Sequence, residues 1–289
     1  MTMAGLIKAT GGRGMFLVAA LSATLLAACS SNESSVLRQP GALDAYSAEQ
    51  VFDLGEQQLN ENRLDDAAFF FGEIERLYPY SSWARRGLIM QAFAYHRARD
   101  YENSRSAAQR YVDFYPTDED AAYAQYLLAL SYYDQIDDIG RDQGVTFRAL
   151  QELRRVIELY PDSEYATAAV QKFDLAFDHL AGKEMEVGRY YLSRGNFTAA
   201  ISRFRVVVED FQTTTYTPEA LMRLVEAYMA LGLTDEARSA AAILGHNYQS
   251  TPFYADAYAL LTGRGLSPEA SGDNWLVAIY RQVVRGEWM

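Results

Sequence analysis

The stretch Ala48–Ser81, AEQVFDLGEQQLNENRLDDAAFFFGEIERLYPYS, decides the fold. It reads as two short amphipathic helices joined by a turn over Asn60–Leu64. Val51, Leu54 and Gly55 line the first helix; Ala67, Phe71 and Ile74 line the second; Pro79 stops it. The spacing from Gly55 to Ala67 to Phe71 to Pro79 recurs, with substitutions, along the chain. Aligned on the small residue of each second helix, the units centre on Ala67, Ser104, Ala149, Ala200 and Ala237, separated by 37, 45, 51 and 37 residues. A helix pair this short cannot bury its apolar faces alone. The recurrence therefore predicts a stack, and a stack is most often a binding scaffold.

The other units carry the same marks. Repeat two, Arg85–Asp118, has Ala92, Tyr95, Ser104 and Pro116. Repeat three has Ala129 and Tyr132, then resumes after about eight extra residues at Ala149, Leu153 and Pro161. Repeat four, near Ala181–Thr214, has Gly188, Tyr191, Ala200 and Phe204, with Gln212 in the proline place. Repeat five, Pro218–Thr251, has Val225, Tyr228, Ala237 and Leu244. Leu77-Tyr78-Pro79, Phe114-Tyr115-Pro116 and Leu159-Tyr160-Pro161 close three repeats alike. Small residues let paired helices cross closely, and proline cannot continue a helix. The unit resembles the tetratricopeptide repeat (TPR). The expected fold is all-α, an α-solenoid of five TPR helix pairs over 44–262, with N-terminal repeats at about 48–161 and C-terminal repeats at about 165–262. Glu164–Leu180 keeps helical spacing, and only Gly182 interrupts it before repeat four. One long helix over about 165–194 is expected. Residues 263–289 read as a loop and a C-terminal amphipathic helix, Trp275–Val284, which either caps the stack or meets a partner.

Residues 1–28 read as an export signal: Lys8 and Arg13, then the short apolar run Met15–Leu26, ending Leu26-Ala27-Ala28-Cys29. That ending resembles a bacterial lipobox. The resemblance implies a lipoprotein signal peptide, lipidation at Cys29, and, with Ser30 rather than Asp after it, sorting to the inner leaflet of an outer membrane. Two or three acyl chains anchor a domain durably where one does not. Residues 29–43 are Ser-rich with a Pro-Gly break and are expected to form a flexible tether.

The net charge is −12, and without residues 1–28 there remain 24 basic against 38 acidic residues. That argues against nucleic acid and against electrostatic adhesion to anionic lipid. Only Lys8, Lys172 and Lys183 are lysine. Arginine suits bidentate carboxylate recognition, though a GC-rich genome would enrich it equally.

Stacked pairs place their first helices on a concave face. The groove positions then include Phe52; Arg86, Ile89, Phe93, His96 and Arg97; and Tyr123, Tyr126 and Tyr133. An aromatic groove holding arginines fits a peptide with aromatic side chains and a free carboxylate. If the register slips by one, these aromatics face the core instead. Arg189, and Arg203 on an outer helix, are candidate partner-binding residues. Catalytic constellations are lacking. His96, His179 and His246 lie in different repeats without metal-ligand spacing, and there is no phosphate loop or nucleophile elbow. No cofactor, metal or enzymatic activity is expected. The insertion acids Asp134, Asp137, Asp138 and Asp142 lack a calcium-loop pattern and read as a mobile, solvated loop.

Taken together, the lipobox, the Leu-Tyr-Pro closures, the segment Gly188-Arg189-Tyr190-Tyr191-Leu192-Ser193-Arg194-Gly195-Asn196-Phe197 and Leu224-Val225-Glu226-Ala227-Tyr228 resemble the BamD family of outer-membrane-protein assembly factors. The resemblance implies a lipid-anchored scaffold on the periplasmic face of the outer membrane, within the β-barrel assembly machine. It implies that the N-terminal repeats receive nascent outer-membrane proteins. The C-terminal repeats would dock the periplasmic domains of a BamA-like barrel subunit, beside other assembly lipoproteins. A TPR lipoprotein serving pilus-secretin assembly or cell-wall coordination is the alternative.

Overall fold

Four of the helices begin at a side chain that caps their first turn. Ser47 forms a capping box with Gln50: its Oγ accepts from the Gln50 amide at 3.2 Å, and its own amide donates to Gln50 Oε1 at 2.9 Å. Helix α1 (Ala48–Asn60) follows. Ser81 starts α3 (Ser82–Arg97), Ser163 starts α7 (Glu164–Ser193) and Asn196 starts α8 (Phe197–Asp210), each by accepting from an amide three residues on. The other helices are α2 (Leu64–Leu77), α4 (Tyr101–Phe114), α5 (Ala121–Tyr133), α6 (Gly144–Leu159), α9 (Thr217–Leu231), α10 (Thr234–Asn247) and α11 (Pro252–Thr262). The computed structural model describes residues 36–269 and 275–279. Cys29, the export signal and the second half of the Trp275–Val284 helix lie outside the described residues. Residues 275–279 are helical, and Leu276 is fully buried in the core of repeats four and five, as a cap would be.

The described residues divide into two compact units at Phe114/Tyr115. This falls after the second helix pair, not after the third. The cause is α7, which packs on both α5 and α6 and so joins repeat three to the repeats that follow. Within each unit consecutive helices pack on one another, and first helices also meet across repeats: α1 with α3, α5 with α7, α9 with α11. Pairs one, two, three and five are α1/α2, α3/α4, α5/α6 and α9/α10; pair four is the C-terminal half of α7 with α8.

The repeat is visible in the backbone itself. The turn residues Asn62, Arg99, Gly195 and Gly232 all have positive φ, between 59° and 77°. Each stands five residues before its repeat's small residue, Ala67, Ser104, Ala200 and Ala237. Those four residues are fully buried, and Ser104 Oγ donates to the Ala92 carbonyl at 3.0 Å across the pair. Gly55 and Gly188 admit an aromatic ring: a Cβ there would lie 2.6 Å from the Phe71 ring and 2.4 Å from the Phe204 ring. Closure has a shared chemistry too. The hydroxyls of Ser81, Ser163, Thr214 and Thr251 donate to the carbonyls of Tyr78, Tyr160, Phe211 and Tyr248, three residues earlier. The hydroxyls of Tyr160 and Tyr248 reach back to the carbonyls of Pro116 and Gln212, where the preceding repeat closes.

Two expectations need correcting. The tether ends early. Residues 36–46 form consecutive turns, Leu43 is 2% exposed, and Arg38 pairs with Asp66 at 2.6 Å. The insertion between α5 and α6 is held as well: Lys183 Nζ donates to the Gly140 carbonyl at 2.9 Å, and Ile139 rests on Gly182. Its four aspartates remain exposed. Gly182 therefore marks a close approach and does not break α7, which runs uninterrupted for 30 residues.

Candidate peptide-binding and partner surfaces

In the first unit, α1 and α3 present a cationic aromatic site. Phe52 is 3% exposed, its ring 5.2 Å from Phe71 and 5.0 Å from Trp83. Above it lies Arg86, whose guanidinium is 4.8 Å from the Phe52 ring and 4.7 Å from the Trp83 ring. Cation–π contact on two rings fixes the guanidinium while leaving its N–H groups available. Among the described residues no carboxylate pairs with Arg86. Two turns further along α3, Phe93 is half-buried, and Arg97 sits 5.8 Å over its ring. Arg97 also donates to Asn62 Oδ1 at 3.2 Å. His96 packs edge-on against Tyr101. Arg86 and Arg97 are eleven residues apart on α3, a rise of about 16 Å, the length of roughly five extended residues.

Two expected groove residues are core. Phe52 and Ile89 (6% exposed) are buried, because α2 and α3 pack on α1, and α2 and α4 pack on α3. Trp83, which the groove spacing misses, supplies the second face of the Arg86 site.

In the second unit, Tyr123 and Tyr126 flank Tyr165 of α7, with ring centroids 5.2 and 5.6 Å away. Tyr133 carries the Lys172 ammonium 4.3 Å over its ring. Burial, then the neighbouring Tyr165 and Asp120, pushes the Tyr123 hydroxyl up to about 12. Burial likewise raises Tyr126, Tyr133 and Tyr165. All four stay neutral hydrogen-bonding groups at physiological pH. The groove spacing misses Tyr165, because α7 begins outside the regular repeat spacing.

Arg189 and Arg203 both have partners within the chain. Arg189 clamps Glu219 through Nε at 2.9 Å and Nη2 at 2.5 Å. Glu219 also receives Arg223 at 3.3 Å, and Arg223 reaches Glu226 at 2.8 Å. The hydrogen bond from Arg189 holds the Glu219 carboxyl below the usual carboxylate range, and the same bond raises Arg189. Arg203 pairs with Glu184 at 3.0 Å. The Glu219 contribution to stability is present above its unfolded pKa, near 4.5, and is lost as pH falls through the depressed folded value. A double-mutant cycle with Arg189→Met and Glu219→Gln should give a coupling of about 0.5–1 kcal/mol at pH 7, discounted for partial exposure. It should be lost in acid, once the pH has fallen through the depressed Glu219 value. A coupling that persists there would mean the pair is not ionic.

The length of α7 creates a further surface that repeat spacing could not foretell. Its middle floors a groove of about 690 Å³ between α6 and α8, lined by Phe147, Phe173, Phe177, Leu180 and Phe211. Arg154 lies over the Phe173 ring at 5.6 Å. Among the described residues there is no group of three or more His, Cys, Asp or Glu that could hold a metal, and no helix long and apolar enough to cross a membrane.

Five helix pairs with shared turns, small-residue crossings and closing tyrosines define a TPR-type helical-repeat protein. A family profile described as an outer membrane lipoprotein family, YfiO, matches residues 44–243. The chain is 42% identical over 249 residues to the outer membrane protein assembly factor BamD of Caulobacter vibrioides, covering 86% of this chain and 82% of that protein. It is 41% identical over 203 residues to the BamD of Rickettsia prowazekii (70% and 81% covered), and 26% identical over 243 residues to that of Neisseria meningitidis (81% and 91% covered). The chain belongs to the BamD family of outer-membrane-protein assembly factors.

Proposed function

We propose that this chain serves outer-membrane protein assembly as a non-catalytic scaffold, lipid-anchored through Cys29 to the periplasmic face of the outer membrane. Its N-terminal repeats take the C-terminal segment of an unfolded barrel protein. Its C-terminal repeats, with Arg189 and Arg203 at their surface, meet the periplasmic domains of a BamA-like barrel subunit. Other assembly lipoproteins join the same complex. Family membership favours this reading over a pilus-secretin or cell-wall scaffold.

One observation carries the peptide reading: Arg86, held between the Phe52 and Trp83 rings with no carboxylate partner among the described residues. A guanidinium fixed in this way is preorganised for a carboxylate, and the partly exposed Trp83 ring beside it suits an aromatic side chain. A fluorescent peptide ending in a free phenylalanine carboxylate tests it. Arg86→Glu should weaken binding by about ten-fold or more, and amidating the peptide should cost a similar factor. Affinity indifferent to both changes would remove Arg86 from the site.

A further inference from the structure

The segment that enters the first repeat does two things at once. Two later helix pairs are closed by a tyrosine hydroxyl that donates to the end of the preceding repeat: Tyr160 to Pro116 and Tyr248 to Gln212. No helix pair precedes repeat one among the described residues, yet Tyr78 makes the same bond, to the carbonyl of Tyr46. Residues 36–46 thus stand where a preceding repeat would end. Leu43 is 2% exposed and belongs to the core of the first unit, with Leu37 and Tyr46 packed beside it. Arg38 pairs with Asp66 at 2.6 Å and lies 5.1 Å over the Phe69 ring, both on α2. A terminal repeat needs such a cover for its exposed face.

Chain length gives this cap a second consequence. Cys29 and Val36 are seven residues apart, so the chain between them can span at most about 25 Å. Were 36–46 undocked, the span from Cys29 to Ser47 would reach about 60 Å.

We propose that residues 36–46 are a strap that seats the first unit at the lipid surface, setting a short stand-off that a free tether would not give. The strap rests on the Cys29 anchor reading, and its docking can be read separately from that anchor. Arg38 is the only basic residue between Cys29 and Ser47, so trypsin reports on the strap directly. The full-length lipidated chain is placed on vesicles of phosphatidylethanolamine and phosphatidylglycerol carrying a headgroup acceptor dye. A donor is attached at Glu102→Cys, an exposed position on α4. Leu43→Asp should accelerate tryptic cleavage after Arg38 by about ten-fold or more and lower energy transfer to the lipid. A ten-residue Gly-Ser insertion between Ser35 and Val36 keeps the strap docked. It should leave Arg38 protected while lowering energy transfer, which makes the test independent of any folding defect in Leu43→Asp. Wild-type protein cleaved as fast as Leu43→Asp, or energy transfer unchanged by the insertion, overturns the strap. Wild-type protein that stays in the supernatant overturns the anchor reading and the stand-off with it.

Discussion

Replacing Gly188 by valine should unfold the C-terminal repeats at temperatures where the wild type is intact. A Cβ at Gly188 would lie 2.4, 2.8 and 2.8 Å from three atoms of the Phe204 ring, closer than any real contact. Phe204 is fully buried and cannot swing into solvent. Two effects compete in the milder Gly188→Ala variant. Alanine in a helix interior is favoured over glycine by about 1 kcal/mol. Overpacking a filled core costs about 1–3 kcal/mol, and here the ring must shift by more than half an ångström. The clash wins, and alanine should destabilise by about 1–2 kcal/mol, or roughly 2–8 °C in Tm for a unit of this size. Valine should cost more than about 3 kcal/mol. Phe204→Leu combined with Gly188→Ala should recover part of the loss, giving a measurable coupling between the two sites. A Gly188→Ala variant as stable as wild type would show that the ring has room to move. Gly55 opposite Phe71 makes the same prediction for the first unit, with a contact of 2.6 Å.

Replacing Cys29 by serine should move the protein almost completely from the membrane pellet to the soluble fraction. A serine hydroxyl cannot be thioether-linked to diacylglycerol, and each buried methylene contributes about 0.8 kcal/mol to anchoring. Nothing compensates for that loss. Without residues 1–28 the chain carries 24 basic against 38 acidic residues, so anionic lipid repels it. No helix of the described residues is long and apolar enough to cross a bilayer. Fractionation after a high-salt wash, which strips protein partners, is the measurement. Protein that remains in the pellet refutes the lipid anchor.

The repeat was legible because its constraints are local. The long helix expected over about 165–194 runs Glu164–Ser193. Glycine opposite a phenylalanine, alanine at a crossing, and a Tyr-Pro closure each follow from a steric need that repeats with the chain. The closing hydroxyls at Ser81, Ser163, Thr214 and Thr251 could have been found by the same alignment, since each falls three residues after the closing aromatic. Candidate site residues were harder. Ile89 and Phe93 lie one turn apart on α3, yet Ile89 is core and Phe93 half-exposed, because burial depends on which neighbouring helix covers a position.

The sequence by itself determined an all-α chain of five helix pairs, where each pair starts and stops, and the family to which it belongs. These rest on capping, periodicity and side-chain size, which act within about forty residues. Only the tertiary structure decided that Phe52 of α1 lies beneath Arg86 of α3, that Arg189 is clamped by Glu219, and that residues 36–46 are docked. In each of these the partner lies on another helix, and its distance is set by how the helices cross. The length of α7 belongs to both: its apolar spacing predicts the helix, but the groove between α6 and α8 exists only because packing holds those helices along its length.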